Sequence, residues 1–301
     1  MVRKHFAMLD FLRGVAAFAV VVFHQPAGSL KLFAHGYLAV DFFFLLSGFV
    51  IAASYEDRLA NGSLGFGVFV RTRFIRLYPL VILGGILGSL QHFGEFAPYV
   101  VAGGILLIPT SATGDPSAFA TNPPAWSLFW EVAVNIVYGK LSRFLTNGIL
   151  YALTALGFAA VVACAYQAGT MNYGFSWSQF YGGGARVVFS FFAGILIYRV
   201  WLSGWRPTLP WYAVVIGLVA LLILPRRLES WYFDSAIVLA FPLLVLVAAS
   251  CDLPAKYTKL ATLMGNVSYP LYILQHGLGV PKKLLDHLQS TGFNMLIISW
   301  A

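Results

Sequence analysis

The sequence predicts an all-α, polytopic membrane helix bundle. Of its 301 residues, 59% are hydrophobic and 10% are charged, and the mean hydropathy is +0.79. A soluble domain is charged at about a quarter of its positions. Apolar segments recur along the whole chain, and no polar stretch between them is long enough to fold separately. We therefore interpret residues 1–301 as a single membrane-embedded domain.

Most apolar segments have the length of a membrane-spanning helix, which is about 20 residues. Two shorter pieces, 77–90 and 97–110, are separated by QHFGEF, and we expect a broken or re-entrant element there. The final apolar segment has only nine residues, FNMLIISWA, so we expect the last helix to be incomplete. The sequence thus predicts about ten transmembrane helices, whose full-length candidates are 8–28, 36–55, 126–146, 148–168, 180–202, 208–224, 232–250 and 260–280.

The basic residues are distributed as in a membrane protein. The net charge is +8, but the basic residues lie in short clusters between apolar segments, as is typical of loops that set membrane topology. If the basic N-terminus is cytoplasmic and 77–110 crosses once in net terms, most later clusters are also cytoplasmic. We therefore expect the lipid bilayer, and not nucleic acid, to be the partner of this charge.

The first span contains an arginine and a histidine, Arg13 and His24, in LDFLRGVAAFAVVVFHQPAG. Eleven residues of α-helix complete three turns to within about 20° and rise ~16 Å, so both side chains lie on one face. Exposing that face to lipid is costly, so it should face the bundle interior or a wet cavity. Arg13 alone is better explained as a headgroup anchor, but its presence on the face of His24 favours a functional site.

Two carboxylates also lie near span ends. Asp41 is five residues into the second span, where it could orient His24 or pair with a structural arginine. Further along, Ser47-Gly48 forms a small-residue notch that would allow another helix to approach closely. Glu131 lies one turn inside the helix of NPPAWSLFWEVAVNIVYGK, and taken alone it is explained by the helix dipole.

A third polar segment, FVRTRFIRLYP, places Arg73 and Arg76 three residues apart on one helix face. The ordinary explanation is topological charge. Together with Arg13 at the same membrane surface, however, these arginines suit a polyphosphate ligand, because guanidinium groups bind phosphate oxygens in pairs. Apart from His24 and His276, the histidines are expected at interfaces or in loops, and thus at the surface: His5, His35, His92 and His287.

Several other classes of site have no support. The sequence has no metal-ligand spacing, no nucleotide-binding glycine motif and no G-x-S-x-G motif. Cys164 and Cys251 both lie in apolar segments, so a disulfide framework is not expected. We therefore expect neither a metal nor a bound cofactor.

Five stretches resemble, in order, those of the acyltransferase-3 family of integral-membrane acyltransferases. They are LDFLRGVAAFAVVVFH, GYLAVDFFFLLSGFVI, FVRTRFIRLYP, NPPAWSLFWE and GNVSYPLYILQH, spread over residues 9–276. The ten-span count is similar to the fold of that family. The chain departs from the family after Glu131, where VAV stands in place of a frequent QFY, and this weakens any acceptor-side assignment on that helix.

The resemblance implies transfer of an acyl group, usually acetyl, from cytoplasmic acyl-CoA to a hydroxyl group. The acceptor would be a carbohydrate, commonly a glycolipid or cell-surface polysaccharide, and the location a bacterial inner membrane. By position, His24 would be the catalytic histidine, Arg13, Arg73 and Arg76 would bind the acetyl-CoA donor, and Glu131 would be a site carboxylate. Asp41 joins the catalytic set as the candidate orienter of His24.

Two mechanisms and two rival functions remain open. His24 is expected to act as a general base in direct transfer, an effect worth about 10²–10⁴-fold. It could instead carry the acyl group covalently as a relay. The first rival function is a proton-coupled transporter or exporter in which His24 and Asp41 form a proton relay. The second is a non-catalytic assembly partner for polysaccharide export, which would tolerate His24→Ala.

Overall fold

The computed structural model describes residues 5–24, 32–92 and 94–276, and within them it is all-helical, as predicted. Isolated bridges and short 3₁₀ turns connect the helices, and no β-strand occurs in these ranges. The segment from residue 293, predicted to begin a last helix, lies outside them. The helices are α1 (Ala7–Phe23), α2 (Ala39–Ala60), α3 (Phe66–Gln91), α4 (Pro98–Leu106), α5 (Ala125–Leu141), α6 (Asn147–Ala168), α7 (Phe180–Leu202), α8 (Trp211–Leu222), α9 (Trp231–Ser250) and α10 (Ala255–Leu274).

The predicted number of membrane crossings is not confirmed. Five helices of the described ranges, α2, α3, α6, α7 and α9, are long and apolar enough to cross a membrane. Helices α1 and α5 have 17 residues each, and α8 has 12, which correspond to ~26 and ~18 Å of rise. The hydrocarbon core is about 30 Å thick. These shorter helices match predicted spans in position but not in length.

The region 77–110 is divided between two helices, in agreement with the broken element expected there, but the helices differ in length. The arginine-rich segment and the first apolar piece form one continuous 26-residue helix, α3, which runs through Pro79. The second piece is the nine-residue α4, whose rise of ~14 Å is too short for a crossing. The two pack closely, since a Cβ at Gly85 would lie 2.9 Å from the carbonyl of Gly104. The region is therefore one long helix and a short one beside it, not two equal pieces.

Helices α2 and α7 form the centre of the bundle through small residues. A Cβ at Gly48 of α2 would overlap the carbonyl oxygen of Phe191, and a Cβ at Gly194 of α7 would overlap that of Leu45. Such contacts are possible only where side chains are absent. The small-residue notch predicted at Ser47-Gly48 is confirmed.

Helices α1, α3 and α10 run in the same direction. Beside α10, α1 packs with Gly14 against Met264, and α3 contacts α10 through Leu77 and Tyr269. Further along, the rings of His92 and His276 stack with centroids 6.3 Å apart. The parallel arrangement puts arginines on one side of the bundle and histidines on the other: Arg13, Arg73 and Arg76, then His24, His92 and His276.

Candidate active site

A cavity of about 740 Å³, measured together with its open mouth, lies between α1, α2, α3, α5 and α10. Four of the six predicted site residues line it, namely Arg13, Arg73, Arg76 and Glu131. Three guanidinium groups thus face one carboxylate, so the lining carries an excess of positive charge.

Arg73 and Glu131 form the ion pair at the centre of this lining. Arg73 Nη2 donates to Glu131 Oε1 at 3.2 Å, and Ser47 Oγ donates to the same oxygen at 2.9 Å. The Arg73 side chain is 7% exposed. Its buried Nε–H has no acceptor among the described residues. Part of the guanidinium is therefore left for a ligand.

The other two arginines lie beside this pair. Arg13 is half-buried and donates from Nη1 to Asp10 Oδ1 at 3.3 Å, while His5 contacts the other oxygen of Asp10 at 2.7 Å. Arg76 is exposed and makes no ion pair with another described residue. The three guanidinium groups thus range from buried to exposed within one cavity.

The far end of the cavity is less polar than the arginine end. Along α2 the lining runs from Ile51 to Val40, a rise of ~16 Å. The rings of Phe43 and Tyr272 meet there edge to face at 5.7 Å, and the hydroxyls of Tyr272 and Ser127 are 2.7 Å apart. The cavity is therefore elongated, with charge at one end and aromatic and hydroxyl groups at the other.

His24 does not line this cavity. It caps the C-terminal end of α1, where it is exposed, and its ring packs edge to face on Phe23 at 5.0 Å. Phe23 in turn contacts Tyr37, one turn before Val40 at the far end of the cavity. His24 thus lies eleven residues, or ~16 Å, beyond Arg13, which is near the middle of α1.

The ring of His24 has a defined tautomer. Nδ1 lies 2.8 Å from the carbonyl oxygen of Val20. A carbonyl only accepts hydrogen bonds, so Nδ1 carries the proton. The Nε2 lone pair is then left to accept a proton or to attack an acyl carbon.

Asp41 is committed to another partner. Its carboxylate binds Arg186 of α7, with Nη2 2.6 Å from Oδ2 and Nε 3.2 Å from both oxygens. Both side chains are buried, and a buried arginine requires such a counter-charge. Of the two roles left open for Asp41, the structure has the pairing with a structural arginine, so Asp41 is corrected from an orienter of His24 to a buried counter-ion. Asp41 also does not line the cavity.

A second buried polar cluster surrounds Asp234 of α9. His35 Nδ1 and Tyr37 Oη donate to its two carboxylate oxygens at 3.1 and 2.9 Å, and the backbone N–H of Met171 donates at 2.9 Å. The prediction of a surface position for His35 is wrong, because its side chain is fully buried by this carboxylate. His287 lies outside the described residues.

Several lining residues were not singled out from the sequence as site residues. They contribute hydroxyl groups from three helices: Ser47, Ser127, Ser268, Tyr269 and Tyr272. On α10 the four-residue spacing of Ser268 and Tyr272 was a usable signal for one shared face. No group of described histidine, cysteine, aspartate or glutamate residues is arranged to hold a metal ion.

These features define a helical membrane protein with an internal, arginine-rich site. The particular family follows from comparison: residues 6–297 match the sequence model described as an acyltransferase domain, and the chain belongs to the acyltransferase-3 family. It is therefore an acyltransferase of the membrane.

Two curated proteins illustrate the relationship. The chain is 37% identical over 158 residues to "Protein 2 in picA locus" of Rhizobium radiobacter, which covers 46% of this chain and 82% of that protein. It is 29% identical over 237 residues to "Acyltransferase MdmB" of Streptomyces mycarofaciens, which covers 72% of this chain and 57% of MdmB. The chain therefore matches little more than half the length of MdmB. No solved structure is significantly similar to it.

Proposed function

We propose that this acyltransferase moves an acyl group, acetyl in the simplest case, from acyl-CoA to a hydroxyl group of a carbohydrate or glycolipid. The observation that carries the proposal is the meeting of Arg13, Arg73 and Arg76 in one elongated cavity. Two of these three cations are buried or half-buried, and a ligand of opposite charge would offset the repulsion among them. Acyl-CoA supplies that charge through its phosphate groups.

The shape of the cavity supports the same donor. Acyl-CoA has its phosphates at one end and its thioester at the other, joined by a long flexible arm. The arginines would bind the phosphates, and the arm would extend along α2 from the level of Ser47 towards Val40. The spacing of Arg13 and His24 then has a physical reason, because the two residues serve opposite ends of one ligand.

His24 would act on the thioester as a general base. Its Nε2 would take the proton of the acceptor hydroxyl as the hydroxyl oxygen bonds to the acyl carbon. The carbon–sulfur bond then breaks, and the same proton passes to the CoA thiolate as the thiol forms. In the alternative relay, Nε2 itself would attack the acyl carbon as the carbon–sulfur bond breaks and CoA thiolate leaves. The acceptor hydroxyl oxygen would then take the acyl group as the bond from carbon to Nε2 breaks, and the hydroxyl proton would pass to the thiolate.

The first test measures binding and slow hydrolysis of acetyl-CoA by the purified chain in detergent. We expect wild type to bind and hydrolyse it, His24→Ala to bind it without hydrolysis, and the Arg73→Gln/Arg76→Gln double variant not to bind. The matched control is Arg71→Gln, since Arg71 is an exposed arginine of the same helix that does not line the cavity. Folded wild type without affinity for acyl-CoA would overturn the donor assignment.

A further inference from the structure

We infer that Ser47 and Glu131 are positioning residues that hold Arg73 with its Nε–H available to a phosphate oxygen of the donor. The inference rests on the proposed function, from which it takes acyl-CoA as the ligand. It assigns Glu131 a role in aiming a cation, in place of the catalytic role expected from the sequence.

The hydrogen bonds of Glu131 are the first support for this inference. Oε1 accepts two hydrogen bonds, from Ser47 Oγ at 2.9 Å and from Arg73 Nη2 at 3.2 Å. The pair is therefore held by a single contact, whereas an arginine and a carboxylate commonly form two parallel hydrogen bonds. The hydroxyl of Ser47 keeps the carboxylate in a position where it does not cover Nε.

A second arginine–carboxylate pair, Arg186 with Asp41, leaves no guanidinium nitrogen free and serves as the comparison. Arg186 uses both Nε and Nη2 on the carboxylate of Asp41, and its Nη1 donates to the carbonyl of Tyr173 at 2.8 Å. Arg186 thus has Nε, Nη1 and Nη2 all hydrogen-bonded within the protein, and it does not line the cavity. Arg73 is as deeply placed but keeps a buried Nε–H without an acceptor. The Arg73–Glu131 pair, with its free Nε–H, therefore lines the cavity, whereas the Arg186–Asp41 pair does not.

The chemistry of the ligand follows from the free donor. A buried guanidinium N–H without an acceptor is unfavourable, and an anionic oxygen satisfies it best. Arg13 and Arg76 line the same cavity, so the group that reaches Nε has to be anionic and tolerate several cations. A phosphate oxygen of the donor fulfils both conditions, whereas a neutral pantetheine arm does not.

The test compares Ser47→Ala, Glu131→Ala and Glu131→Gln in titrations with coenzyme A and with phosphate-free pantetheine, together with steady-state acetyl-CoA hydrolysis. Without the hydroxyl, Glu131 can close onto Arg73 and compete with the phosphate, so Ser47→Ala should weaken coenzyme A binding by about 10-fold. Glu131→Ala should weaken it by about 10–100-fold. Glu131→Gln retains an oxygen acceptor and should restore affinity to within about 3-fold of wild type.

The expected kinetic pattern is a raised KM with kcat little changed, and no effect on pantetheine binding. Ser89→Ala is the serine control, because Ser89 lies in α3, bonds only its own helix at Gly85 and does not line the cavity. A loss of kcat in Glu131→Gln at unchanged affinity would overturn the inference in favour of proton transfer. Wild-type affinity in folded Ser47→Ala and Glu131→Ala would overturn it too, whereas wild type that binds no coenzyme A would overturn the donor assignment itself.

Discussion

Arg186 and Asp41 form an ion pair at the centre of the bundle, with Nη2 and Oδ2 2.6 Å apart and side chains that are 2% and 0% exposed. The pair joins α2 to α7, whose backbones approach closely at Gly48 and Gly194. Arg186 also donates to the carbonyl of Tyr37 at 3.0 Å. It thereby ties the start of the second helix to the seventh.

This pair makes Asp41→Asn a test of stability, not of catalysis. Removing one member of a buried ion pair leaves an uncompensated charge, which costs about 3–5 kcal/mol. We expect the variant to lower the free energy of unfolding by about that amount in detergent, measured by chemical denaturation. The folded fraction should retain its affinity for acetyl-CoA.

A double variant provides the control for that prediction. In Asp41→Leu/Arg186→Met both charges are replaced by apolar groups, and such replacements are often neutral or stabilising. Most of the lost stability should therefore return. An Asp41→Asn protein that is as stable as wild type but inactive would instead restore Asp41 to the catalytic set.

The close contact of α2 and α7 predicts the effect of one added methyl group. In Gly48→Ala the Cβ would overlap the carbonyl of Phe191, so the two backbones have to separate. We expect a loss of about 1–3 kcal/mol of unfolding free energy, as for other overpacked sites. The matched control is Gly67→Ala in the first turn of α3, where nothing lies within 4 Å of the new Cβ. Equal stability of the two variants would argue against the close packing.

Substitution of His24 should separate chemistry from binding. His24→Gln removes the free Nε2 lone pair at a position outside the cavity lining, so the rate of acyl transfer should fall by about 10²–10⁴-fold. The dissociation constant of acetyl-CoA should stay within about 3-fold of wild type. The two quantities are measured by single-turnover hydrolysis and by equilibrium titration. A variant that transfers at the wild-type rate would contradict the role of His24 in either mechanism.

The cationic cavity predicts stabilisation by coenzyme A itself. A ligand present at 100 times its dissociation constant raises the free energy of unfolding by about 2.7 kcal/mol. We therefore expect coenzyme A to raise the midpoint temperature of thermal unfolding in detergent. This increase should become smaller at higher ionic strength, because salt screens the charge of the exposed Arg76. Arg76→Gln should reduce the shift, and Arg71→Gln should leave it unchanged. A shift that is insensitive to both salt and Arg76 would indicate apolar binding instead.

The predictability of the site differed from residue to residue. Arg73 and Arg76 could be grouped because they are three residues apart on one helix, and helical spacing is a local property. Arg186 was missed because its partner is 145 residues away, so no local pattern reveals it. His35 was misplaced for the same reason, since its burial depends on Asp234, which is 199 residues away.

The helical fold class, the approximate positions of most described helices and the family were readable from the chain alone. They depend on composition, helical periodicity and the order of the motifs. All three can be read from neighbouring residues or from the order of segments along the chain. Folding in three dimensions settled which polar groups meet: Glu131 with Arg73, Asp41 with Arg186, and the three arginines in one cavity. Those pairings depend on the directions of the helices and on their close approach at glycines. A buried charge needs a counter-charge, and the packing of the helices determines which one is near enough to provide it.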